Sequence, residues 1–106
     1  MTPVEKKILA AFRESLTAKV SISGMILFGS RARGDASPDS DMDVIVLVDG
    51  IVDRAVRRTV EDCAWSAGFE FGIIVSPVVI RSNEWNDGPM SSSLLFQAVR
   101  DEGIAV

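Results

Sequence analysis

Two short aliphatic runs, Met25-Ile26-Leu27-Phe28 and Val44-Ile45-Val46-Leu47-Val48, bracket a polar segment that opens with Gly29-Ser30 and closes with Asp41-Met42-Asp43. Runs this short, continuous and aliphatic read as strands buried on both faces. The chain must therefore leave one buried strand through a glycine turn and enter the next through two acidic residues. Side chains alternate along a strand, so Asp41 and Asp43 share a face, with Cβ atoms roughly 6–7 Å apart. Two carboxylates at that separation beside an apolar sheet resist joint ionisation unless a cation joins them. Mg²⁺ suits such a site, because it takes oxygen ligands and is often held by one or two carboxylates plus substrate phosphates.

Gly29 permits a tight turn and close backbone approach to a ligand. The amides that follow, if they open a short helix, favour a phosphate, and Ser30 adds a hydroxyl donor. Arg31 and Arg33 have two open roles: planar forks for phosphate, or pairing with Asp35, Asp39 or Asp41 to hold the loop. Ser40 reads as a capping residue that steadies the Asp loop or as a direct ligand.

The block from Gly29-Ser30-Arg31-Ala32-Arg33-Gly34 through Ser40-Asp41-Met42-Asp43 resembles the signature of the polymerase-β-like nucleotidyltransferase superfamily. The chain resembles in particular the minimal nucleotidyltransferase branch, many of whose members act as antitoxins to HEPN-domain toxins. The close match covers roughly residues 25–48, with looser similarity through residues 73–80 and 94–106. The resemblance implies a palm fold, Asp41 and Asp43 as catalytic metal ligands, and Gly29, Ser30, Arg31 and Ser40 around the nucleotide. It also implies a third carboxylate on a neighbouring strand. Glu70 is the acidic residue available there, its alternative being an exposed strand-end position. A Gly-Lys-Ser/Thr phosphate loop is absent, since no lysine follows Lys19.

At 106 residues the chain is expected to be a single domain, 1–106, too small for a catalytic unit plus a separate lid. A net charge of −4 argues against a non-specific nucleic-acid binder, which needs a basic surface. The lone Cys63 excludes an internal disulfide framework and fits a reducing, cytoplasmic setting. With no histidine, Ser-His and Cys-His nucleophile pairs and His-ligated zinc are excluded within the chain. No apolar stretch approaches the roughly 20 residues of a membrane span.

The remaining pattern predicts a first helix capped by Thr2, with Pro3 and Glu5 completing a capping box and Val4, Ile8, Leu9, Phe12 and Leu16 as its apolar stripe. Strands are expected at about 22–28, 42–48 and 70–80, the last carrying Glu70. A helix at about 52–67 is expected to end on Gly68 as C-cap. Residues 83–89 read as a polar loop in which Trp85 either packs on its own domain or anchors a partner, followed by Ser91–93. A last helix from Leu94 should stop at Gly103, before a short edge strand. The fold class is α/β (α+β): a small mixed sheet backed by helices.

The leading functional expectation is a Mg²⁺-dependent enzyme that moves a nucleoside monophosphate from ATP or another NTP to a hydroxyl. By resemblance the acceptor is a HEPN-type toxin and the product an adenylylated protein. The alternatives are a catalytically weakened antitoxin that acts by binding alone, and transfer to a small hydroxylated molecule. No membrane or nucleic-acid partner is expected, and a homo-oligomer is left open.

Overall fold

Thr2 starts the first helix as its neighbours dictate. Its hydroxyl accepts from the Glu5 N–H (3.1 Å), and Glu5 Oε1 accepts from the Thr2 N–H (2.8 Å). This reciprocal box opens α1 (Pro3–Thr17), which buries Ile8, Leu9, Phe12 and Leu16. Val4, expected in the stripe, stays exposed. The computed structural model describes residues 1–88 and 93–106. Beyond α1 it runs through β1 (Ile22–Phe28), α2 (Ser30–Arg33), β2 (Met42–Val48), α3 (Arg54–Phe69), β3 (Val75–Arg81), α4 (Ser82–Asp87), α5 (Leu94–Glu102) and β4 (Ile104–Ala105).

The sheet order is β3-β2-β1-β4. β1 pairs antiparallel with β2 and β4, and β2 pairs parallel with β3 across the α3 connection. The mixed sheet agrees with the expectation from sequence. β2 sits centrally and is buried on both sides, which is why its five aliphatic residues run without alternation. Met42, Val44, Val46 and Val48 join Met25 and Leu27 in the larger core, with Ile8, Phe12 and Leu16 from α1 and Val60, Cys63 and Ala64 from α3. Ile45 and Leu47 face the other way, against Ile80, Val99, Trp85 and Leu95. Burying each large apolar side chain contributes about 1.5–3 kcal/mol, so both layers are needed to hold a chain of this size.

Three expectations are corrected here. Residues 82–87 form α4, not a polar loop, because Trp85 packs on Phe96 of α5 with ring centroids 4.6 Å apart. The end of that expected loop at Pro89, and Ser91, lie outside the described residues, whereas Ser93 does cap α5 through the Phe96 N–H. Glu70 is not on a strand. α3 continues through Phe69, Glu70 is its C-cap residue, and β3 begins only at Val75. The reason lies in the turn: Gly72 takes φ +67°, and the N–H groups of Phe71 and Ile73 both return to the Gly68 carbonyl. The apolar run that looked like an early strand is the wrap of that turn against the helix.

Gly68 is therefore no left-handed cap. A Cβ there would sit 1.9 Å from the Ile73 carbonyl oxygen. Helix propensity alone would make Gly68→Ala stabilising by about 0.5–1 kcal/mol. The backbone clash outweighs that, and Gly68→Ala is expected to destabilise the domain by about 1–3 kcal/mol in a denaturant titration.

Candidate functional site

At one end of the sheet β1 stops, α2 begins and β2 enters. Gly29 joins the first two with φ +76°, and a Cβ at that position would lie 2.6 Å from Asp43 Oδ2. Glycine is required twice over, for the backbone angle and for the approach of the carboxylate. Ser30 follows as the first residue of α2, half-buried beside this turn.

Phe28 pairs with Asp43 across the antiparallel ladder, and Asp43 pairs with Ser76 across the parallel one. Asp43 thus points to the α4/α5 side with Ile45 and Leu47, and Asp41, two residues earlier, enters on the same side. Asp41 is exposed and Asp43 half-buried. The parallel ladder begins immediately after Asp41, where the Met42 N–H donates to the Ile74 carbonyl at 2.9 Å. Ser76 Oγ lies 3.4 Å from Asp41 Oδ2 and donates to it. Burial, and then the charge of Asp41, push the Asp43 carboxyl above its ordinary range. The two carboxylates are brought together as expected, and among the described residues no third acidic group, histidine or cysteine joins them.

Arg31 does not reach toward this pair. It is buried, with Nη1 on Glu5 Oε2 (3.0 Å), Nε and Nη2 on the Ser40 carbonyl (2.9 and 2.6 Å), and Nη2 also on the Pro38 carbonyl (3.2 Å). Of the two roles open to it, the structure shows the loop-holding one: Nε and Nη2 hold the loop that delivers Asp41, and Nη1 ties that loop to α1. Ser40 belongs to the same turn, its hydroxyl accepting from the Ser37 N–H at 3.1 Å. Arg33 turns outward to Asp35 and Glu102. Glu70, at the end of α3, is exposed. Ser76 was missed by sequence reasoning, and the available signal was a lone hydroxyl inside the aliphatic strand Val75-Ser76-Pro77-Val78-Val79-Ile80.

A family model for the nucleotidyltransferase domain matches residues 7–87, which include both strands, the glycine turn and the carboxylate pair. The chain belongs to the nucleotidyltransferase domain family. It is similar to two Methanocaldococcus jannaschii proteins that carry the name putative protein adenylyltransferase. MJ0141 is 29% identical over 77 residues, covering 71% of this chain and 78% of that protein. MJ0604 is 30% identical over 84 residues, covering 77% and 79%. Among solved structures, one chain of a toxin-antitoxin with AMP-PNP superposes with a TM-score of 0.64 at 24% identity, covering 95% of this chain and 70% of that one. One chain of a mutant toxin-antitoxin MntA-HpeT does so with a TM-score of 0.62 at 25% identity and the same coverage. The nucleotidyltransferase fold and enzyme class expected from the sequence are borne out.

Two stability predictions follow from this geometry. Removing one partner of a buried ion pair typically costs about 3–5 kcal/mol, so Arg31→Ala is expected to lose stability on that scale in a denaturant titration. Burial works to raise the Glu5 carboxyl, but hydrogen bonds from Thr2 and Arg31 outweigh it and leave its pKa below the ordinary 4.5. A depressed pKa stabilises the fold above the unfolded value and loses that contribution as pH falls through the folded one. Acid titration below about pH 4.5 should therefore show a stability loss in the nucleotidyltransferase that Glu5→Gln lacks.

Asp43 has the opposite sign. Its folded pKa lies above the ordinary 3.8, so its contribution is fully present below that pH and is lost as pH rises through the raised value. Asp43→Asn should accordingly raise Tm at pH 7 in the presence of chelator. A lower Tm would show that the carboxylate is held by favourable contacts rather than by the surrounding fold.

Proposed function

We propose that this nucleotidyltransferase moves a nucleoside monophosphate, AMP by the names of its relatives, from Mg-bound ATP to a hydroxyl of a partner protein. The observation that carries this reading is the Asp41/Asp43 pair set on one strand face against the Gly29 turn. The donor set fits Mg²⁺: both groups are carboxylates, and among the described residues burial and the charge of Asp41 are what act on Asp43, so an oxygen-preferring ion would relieve their repulsion. Asp41 and Asp43 would hold it, and when bound it supplies charge neutralisation on the phosphates.

The chain's own residues do the positioning. Gly29 removes the side chain that would block the phosphates, and the Ser30 hydroxyl donates to one of their oxygens. The acceptor oxygen attacks the α-phosphorus, the bond to the bridging oxygen breaks, pyrophosphate leaves, and the hydroxyl proton passes to water. With no histidine in the chain and Glu70 displaced to the end of α3, the acceptor protein itself completes the site.

A protein acceptor is supported by an exposed aromatic surface on α3, the helix that packs on the sheet face opposite the pair. Trp65 and Phe69 stand 60% and 71% exposed with rings 6.1 Å apart, and Ile74, whose carbonyl binds the residue after Asp41, is 53% exposed. Aromatic side chains left in solvent in this way mark protein contact surfaces. The toxin-antitoxin neighbours support a toxin as that partner. We assign it the HEPN class and place the pair in the cytoplasm.

Intact-mass spectrometry tests the reading. Mixing the chain with the product of its adjoining reading frame and Mg-ATP should add the mass of AMP to that partner. Asp41→Asn with Asp43→Asn should abolish the addition, and Trp65→Ser with Phe69→Ser should reduce it at least about tenfold while leaving ATP binding intact. The two-carboxylate site favours one second reading, an antitoxin that acts by contact alone. Neutralisation with no added mass, retained in the double Asp variant, would establish it.

A further inference from the structure

One row of side chains crosses the sheet at the site: Phe28 on β1, Asp43 on β2, Ser76 on β3. Ser76 shares its face with Val78 and Ile80, which pack against the α4/α5 layer, so its hydroxyl projects on the carboxylate side of the sheet. Nothing apolar is gained by a serine in this aliphatic strand. What the hydroxyl does is donate to Asp41 Oδ2 at 3.4 Å, longer than the usual 2.7–2.8 Å of a relaxed O–H···O bond. Asp41 is exposed and stands immediately before β2, with Ser76 as its side-chain hydrogen-bond partner among the described residues.

We propose that Ser76 is a positioning residue of the carboxylate pair: its hydroxyl orients Asp41 so that Asp41 and Asp43 face one cation, and its neutrality limits the site to one. The proposal rests on the reading of the pair as a cation site. Its physical basis is the donor count. Two carboxylates and a neutral hydroxyl balance the charge of a single divalent ion, and a second ion would meet a site already neutral, with no further acidic group among the described residues to offset it. The hydroxyl leaves one Asp41 oxygen free while fixing the other, much as outer-shell hydrogen bonds orient ligands in other metal sites.

Mn²⁺ is the probe, since it takes the same oxygen ligands as Mg²⁺ and its free form is counted by electron paramagnetic resonance. The wild-type chain should bind one Mn²⁺. Ser76→Ala should weaken that binding about three- to tenfold, the equivalent of one lost hydrogen bond. Ser76→Thr, which keeps the hydroxyl on a residue suited to a strand, should restore it. Ser76→Asp should raise the stoichiometry to two. Unchanged affinity in Ser76→Ala, or no rescue by Ser76→Thr, overturns the orienting role. A stoichiometry of one in Ser76→Asp overturns the limit on cation number. A wild-type chain that binds no Mn²⁺ removes the cation reading of the pair itself, and the proposal with it.

Discussion

The contact between Arg31 and Glu5 joins three pieces of chain that are otherwise separate. Glu5 uses one carboxylate oxygen to close the capping box of α1 and the other to receive Arg31. Arg31, the second residue of α2, grips the carbonyls of Pro38 and Ser40 with Nε and Nη2. The polar segment between β1 and β2 has no ladder of its own, so its carbonyls need partners, and a buried guanidinium supplies several at once in a fixed plane. An isolated buried pair of this kind seldom adds much net stability, because desolvating both charges offsets their attraction. Its effect is on geometry: the last carbonyl it holds belongs to the residue immediately before Asp41.

The apolar layers do the complementary work. β2 is enclosed on both sides, and its Asp43 sits where that enclosure ends. A carboxylate pinned at the margin of a core is partly dehydrated and faces a second carboxylate, which is unfavourable for the fold by itself. The aliphatic residues that follow it, buried completely at Val44, Ile45 and Val46, outweigh that penalty several times over. Stability and site are thus drawn from consecutive positions of one strand.

What could be read from the sequence was local. The capping box, the limits of β1 and β2 and the shared face of Asp41 and Asp43 each depend on residues a few positions apart, and periodicity and cap chemistry report these directly. The misread parts depend on contacts distant in sequence. Arg31 looked equally suited to phosphate or to the loop because Glu5, its deciding partner, is 26 residues away. Gly68 carried the mark of a helix end, yet it is the approach of the Ile73 carbonyl that demands glycine. Phe71, Ile73 and Ile74 make the segment after Glu70 apolar, and that composition does not distinguish a strand from a turn packed under a helix. Ser76 could be located only through the register of β3 on β2.

Pro77, beside Ser76, has a consequence for assembly. β3 lies at the edge of the sheet, and a proline there removes the N–H that an added strand would use. The opposite edge is β4, two residues long. Among the described residues neither border offers a long unbroken edge, which disfavours extension of the sheet by another chain. That favours contact through side-chain surfaces, whose shape and charge discriminate between partners, over backbone pairing, which accepts almost any extended sequence.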